Sequence, residues 1–206
     1  MNQIIKTRVV WQLFNKSFQK QIEMKFDIAF AKKVMKRAEN RYLNIVHNAP
    51  SVGKHNPKLI DILFTAFVSS IYIAGEGKIS SEQMGSLITD GMEQVYLFRK
   101  SVEMGDHFCK HWQDKRYKQS LFSQRRVYPA DFVSEFIYGK TYNEYGINYS
   151  ECALYKLLQR EDCVELIPHI CNFDYLMAKH MKAKLVRTKT LATGGDICDF
   201  WYTKLK

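Results

Sequence analysis

The chain has 206 residues, 46% hydrophobic and 14% aromatic, and a formal charge of +10. That is enough apolar material to bury a core without metal or disulfide staples, which excludes a disordered tail and a small stapled scaffold. Five cysteines are an odd number in a chain whose start lacks the order of a signal peptide, so reduced thiols and a cytoplasmic protein are expected.

In chain order, residues 20–47 predict one amphipathic helix, with Phe26, Phe30, Val34, Ala38 and Ile45 at helical spacing. Lys32, Lys33, Lys36, Arg37 and Arg41 interleave with them. Asn48-Ala49-Pro50-Ser51-Val52-Gly53 ends that helix. Residues 57–75 predict a buried helix, stopped by Gly75 and Gly77. Its apolar run contains Asp61 and Ser69-Ser70 and is shorter than the roughly 20 residues of a membrane-spanning helix. Ser80 with Gln83 reads as a capping box, opening a helix through Val102. A polar helical stretch follows from Asp106.

The pattern changes near residue 126. Residues 126–139 and 141–150 predict a pair of strands, and Ser150 is expected to cap a helix through Gln159. Pro168 suits the first turn of another helix, running to Met181. Two strands then flank Thr193-Gly194-Gly195, read as a hairpin turn. The whole predicts one α+β domain with an antiparallel sheet: a mainly helical part over 1–125, then a mixed part over 126–206.

The charge is uneven. Residues 1–60 hold twelve Lys/Arg against three Asp/Glu, whereas residues 61–150 hold ten against eleven. Without a nucleic-acid motif this reads as a solvated helix face, so no nucleic-acid partner and no membrane are expected. The sequence sets no oligomeric state.

Four of the five cysteines, Cys152, Cys163, Cys171 and Cys198, fall in the last quarter. Cys152 is expected at the second position of the helix capped by Ser150, where amide dipoles favour a thiolate; the alternative is a buried structural thiol. Glu151 beside it either orients a proton carrier or favours the helix start. Cys171 and Asp174, three apart on a helix, share a face. Asp174 lies against Ile170, Phe173 and Met177, so it needs a partner, and Arg187 is the natural one. Alternation puts Ile197, Asp199 and Trp201 on one face of the last strand and Cys198, Phe200 and Tyr202 on the other. Gly194 and Gly195 make a turn and offer amides that can hold an anion. His169, Cys152, Cys171 and Cys198 are zinc-type ligands, but no Cys-x-x-Cys or His-Glu-x-x-His pair is present, so no metal or cofactor is expected.

Glu151-Cys152, Cys171 with Asp174, Arg187-Thr188-Lys189-Thr190-Leu191-Ala192, Gly194-Gly195 and Cys198-Asp199-Phe200 occur in that order. This segment, Phe132 to Phe200, resembles the L-2-amino-thiazoline-4-carboxylic acid hydrolase family. The resemblance implies a hydrolase taking a small heterocycle and opening a cyclic amidine at a C–N bond to give a carbamoyl cysteine, a step of bacterial cysteine formation. It implies Cys152 or Cys198 as nucleophile and Asp174 as proton carrier or water-positioning group. Glu151, Cys171, Arg187, Thr190, Gly194, Gly195 and Asp199 would then surround the substrate, with Arg187 on its carboxylate. Trp201 stands where the family pattern leads one to expect arginine, which points to a different substrate if that arginine binds the carboxylate. The cysteine and glycine pattern also loosely resembles small-molecule-binding domains of the vinyl-reductase type, which would bind a ligand or sense a metal without turnover.

Overall fold

The computed structural model describes residues 3–53 and 56–206. Among them are eight α-helices and one four-stranded antiparallel sheet, the α+β class expected. The chain divides into two compact units, Met1–Tyr96 with Leu154–Ile170, and Leu97–Ala153 with Cys171–Lys206. Neither is continuous in sequence; along the described residues, helices alone run as far as Ser123 and all four strands follow from Val133.

The first unit is helical. The single helix expected over 20–47 is two, α1 (Gln3–Lys25) and α2 (Ile28–Asn48). Asp27 makes the break, its Oδ1 accepting the Phe30 amide at 2.7 Å as an N-cap. The apolar run forms α3 (Leu59–Ala74), most of it buried. Its buried hydroxyls stay inside because they bond back to their own helix: Ser69 Oγ donates to the Thr65 carbonyl at 2.8 Å and Ser70 Oγ to the Phe67 carbonyl at 2.7 Å. The Ser80–Gln83 capping box is present and opens α4 (Ser81–Glu93). That helix stops well short of Val102; Gln94 and Val95 interrupt it before α5 (Tyr96–Glu103). Phe67 is the centre of the aromatic core, with Phe18 at 5.0 Å and Trp11 at 5.2 Å between ring centroids, both edge-on.

The second unit carries the sheet. Cys109 caps α6 (Lys110–Ser123), its sulfur accepting the Trp112 amide. The two aromatic segments give β1 (Val133–Tyr138) and β2 (Glu144–Glu151), paired antiparallel as expected, although residues 126–132 are not strand. Strand β2 extends through Ser150, so Ser150 is no helix cap; its hydroxyl donates to the Val133 carbonyl at 3.5 Å. Helix α7 (Ala153–Arg160) starts after Cys152, and Pro168 does lie in the first turn of α8 (Ile167–His180). Strands β3 (Ala183–Val186) and β4 (Cys198–Lys204) complete the sheet in the order β1-β2-β4-β3. They pair from Val186↔Trp201 to Ala183↔Lys204. The connection at 187–197 is therefore a long loop with its own 3-10 turn at Leu191–Thr193, not the tight hairpin expected from the diglycine.

One face of the sheet is packed. Phe136, Tyr145 and Ala183 join Phe108 in one buried cluster; Leu185, Cys198 and Phe200 join Ala178 of α8 in another. Tyr202 and Ile147 pack against both.

Candidate functional site

The packed sheet face, the second half of α8 and the 187–197 loop bring the candidate residues together. Arg187 follows the last residue of β3. Its Nη1 donates to the Cys171 carbonyl at 3.0 Å and to Asp174 Oδ2 at 3.2 Å. Its guanidinium carbon lies 5.1 Å from the Tyr175 ring centroid and 5.3 Å from that of Phe200, two cation–π contacts around a side chain only 6% exposed. Both hydrogen bonds run from the single nitrogen Nη1. The expected Asp174–Arg187 pair is thus present, and Cys171 contributes to it through its backbone.

The three thiols of this unit's C-terminal cluster differ. Burial pushes the Cys171 thiol up to about 12, and the neighbouring charges of Asp174, Cys152 and Cys198 work in the same direction. Burial also raises Cys198, against the opposing effects of the Leu191 amide and Arg187. Both stay protonated at neutral pH. Cys198 is buried, and its sulfur accepts the Leu191 amide at 3.2 Å. Cys152 is half-buried and sits just ahead of the first residue of α7, two positions earlier in the helix than expected.

Alternation along β4 is as expected. Cys198 and Phe200 face the packed side, while Asp199 and Trp201 face the other. Asp199 Oδ1 accepts the Thr188 amide at 2.9 Å and the Lys189 amide at 2.8 Å, and Oδ2 accepts the Thr188 hydroxyl. Burial alone would raise the Asp199 carboxyl, but these bonds together hold it below the usual carboxylate range. Trp201 lies on that same outer face, its indole covering Gly146, where an added Cβ would meet it at 2.8 Å. A side chain at 201 therefore points away from Arg187 and Cys198.

The diglycine is spent inside its loop. Gly194, at φ +83°, closes the 3-10 turn with its amide donating to the Leu191 carbonyl at 3.3 Å. The Gly195 amide donates to the Thr190 carbonyl at 2.9 Å, and the Thr190 hydroxyl accepts the Thr193 amide at 3.2 Å. Both glycine amides are thus engaged within the loop. Glu151 ends β2 in an ion pair with Arg126 at 2.8 Å. Among the described residues no group of three or more His, Cys, Asp or Glu side chains is arranged to hold a metal ion. His169, counted as a zinc-type ligand, lies in the first unit against Gly85.

Sequence alone assigns no site role to Tyr175, nor to Thr188 and Tyr202 beyond their place in the motif and on the strand face. Tyr202 shares the Cys198–Phe200 face by alternation, and burial drives its hydroxyl well above the usual range, with Asp174 adding to the rise. The period-2 pattern was the available signal for Tyr202; nothing in spacing marks Tyr175 as a lid over Arg187. A small apolar crevice in the first unit, lined by residues such as Ile45, Ile62 and Leu157, has no titratable group and no part in this chemistry. No helix among the described residues is long and apolar enough to cross a membrane.

Compared with known families, residues 61–202 match the model of the L-2-amino-thiazoline-4-carboxylic acid hydrolases. The match starts within α3, well before the Phe132–Phe200 stretch that carries the motifs. No curated protein and no solved structure matches the chain.

Proposed function

Because this chain belongs to the L-2-amino-thiazoline-4-carboxylic acid hydrolase family, we propose that it opens a 2-amino-thiazoline ring bearing a 4-carboxylate. The observation that carries this reading beyond the family name is Arg187. It is a buried cation with two rings against it, its Nη1 bonded to Asp174 and to the Cys171 carbonyl, close to the thiols of Cys171 and Cys198. Such a cation suits a small carboxylate ligand by paired hydrogen bonds.

The chemistry follows from the ring. Carbon C2 is bonded to sulfur, the ring nitrogen and the exocyclic nitrogen, and is electrophilic once the ring nitrogen is protonated. Cys152 attacks as thiolate and forms a C–S bond; the protonated ring nitrogen leaves as the free amine. Water then adds to the same carbon, and the Cys152 thiolate departs. The net change is one water added, and the carbamoyl group stays on the substrate sulfur. Asp174, the anionic partner of Arg187, accepts the water's proton. Cys171 and Cys198, protonated at neutral pH, are poor nucleophiles, which favours Cys152 at the helix start.

The test is turnover of 2-amino-thiazoline-4-carboxylate by the wild type, read by mass spectrometry of the carbamoyl cysteine formed in oxygen-18 water. Cys152→Ser should fold and lose at least about a hundredfold in kcat. Full activity in that variant would assign the attack to water directly. Tight binding of the heterocycle without turnover would make the protein a ligand-binding relative.

A further inference from the structure

The motif residues between Arg187 and Phe200 make most of their bonds to each other. Asp199 takes three hydrogen bonds from Thr188 and Lys189 on the outer face of β4, and the Asp199 amide returns one to the Lys189 carbonyl at 3.3 Å. Cys198 takes the Leu191 amide on the packed face. The start of β4 thus grips the same loop from both sides of the sheet. Thr190, Gly194 and Gly195 close the loop on itself. Arg187 lies between this grip and the β3–β4 ladder, whose last pair is Val186↔Trp201. Its backbone is held on both flanks, and its guanidinium is thereby delivered into the slot between Tyr175 and Phe200.

We propose that Asp199 is a positioning residue, which sets Arg187 for its ligand by clamping the Thr188–Lys189 backbone and which does not itself touch substrate. This revises the substrate contact expected for Asp199, and it rests on the reading of Arg187 as the carboxylate-binding group. The geometry makes a specific demand. Both backbone amides converge on Oδ1, and only the Thr188 hydroxyl uses Oδ2. Asparagine keeps the Oδ1 acceptor and places an amide nitrogen where it can donate to that hydroxyl, so hydrogen bonding survives while charge is lost. Alanine removes all three bonds.

The experiment compares Asp199→Asn, Asp199→Ala and Thr188→Val with wild type by two readouts. The first is kcat and KM on 2-amino-thiazoline-4-carboxylate. The second, independent of turnover, is modification of Arg187 by phenylglyoxal, followed by peptide mass. Asp199→Ala should raise KM about tenfold with kcat changed far less, because a misplaced arginine weakens ground state and transition state alike. Arg187, protected in the wild type, should become modifiable. Asp199→Asn should stay within about threefold of wild type in KM and keep Arg187 protected. Thr188→Val should fall between, and it carries the test if Asp199→Ala does not fold. Loss of kcat in Asp199→Asn with Arg187 still protected would mean that Asp199 acts by its charge at the substrate, and would overturn the proposal. If the wild type turns over nothing, the function proposed above fails, and the clamp is judged on phenylglyoxal alone: unchanged protection in Asp199→Ala refutes it.

Discussion

Asp174 on α8 and Arg187 after β3 meet at 3.2 Å, with the arginine side chain 6% exposed and the aspartate 35%. The asymmetry matters. The cation is enclosed by Tyr175 and Phe200, while the anion keeps contact with solvent; in the function proposed above, the substrate carboxylate shares this cation with Asp174.

Arg187→Lys should therefore raise KM for the thiazoline carboxylate by about tenfold, with a smaller effect on kcat, since an ammonium cannot make the paired contacts. Arg187→Ala should in addition cost about 1–2 kcal/mol of stability through the lost ring contacts and the half-exposed ion pair. Steady-state kinetics and urea unfolding measure the two effects. An unchanged KM in Arg187→Lys would remove Arg187 from carboxylate binding.

The thiols should separate by reactivity. Cys163 is fully buried and pushed up to about 11, and Cys171 is pushed up to about 12, each chiefly by burial. At pH 8, iodoacetamide should label Cys152 first, then Cys109, also half-buried, with Cys163, Cys198 and the half-buried but raised Cys171 far slower. Peptide mapping over time checks the order. In denaturant without reductant all five thiols should titrate as free.

Alkali should destabilise the fold in a defined window. An unfolded thiol gives up its proton near its ordinary value of 9, whereas Cys171 in the fold keeps it to about 12. Between those values the folded state binds more protons than the unfolded one, so stability falls as pH rises. The contribution is fully present below pH 9. Urea midpoints measured from pH 8 to 11 should fall more steeply for wild type than for Cys171→Ala; equal slopes would contradict the burial of that thiol.

Trp201 offers a sharp negative. It lies on the sheet face opposite Arg187, over Gly146. Trp201→Arg, which restores the residue expected in the family pattern, should leave KM within about threefold of wild type, because the new guanidinium points outward. It should cost roughly 1 kcal/mol by uncovering Gly146. A large drop in KM would show that the outer face belongs to the site.

What the sequence by itself determined is local or periodic. Burial of α3 follows from its apolar run, and the Ser80–Gln83 box from three-residue spacing. The β1–β2 pair follows from aromatic alternation, and the separation of Cys198 from Asp199 from the two-residue repeat of a strand. The Asp174–Arg187 pair was also legible, because a carboxylate on an apolar helical stripe demands a partner. The tertiary structure decided the rest, since a side chain's bonds depend on which backbone comes near it. Ser150 looks like a helix cap until pairing with β1 carries β2 on to Glu151 and the helix starts only past Cys152. The diglycine looks like a hairpin, or an anion cradle, until Thr190 and Leu191 take its amides. Alternation gives the face of Asp199, but only the returning loop brings the Thr188 and Lys189 amides to its carboxylate. Period and spacing determine which face a residue occupies; only the returning chain decides what meets it there.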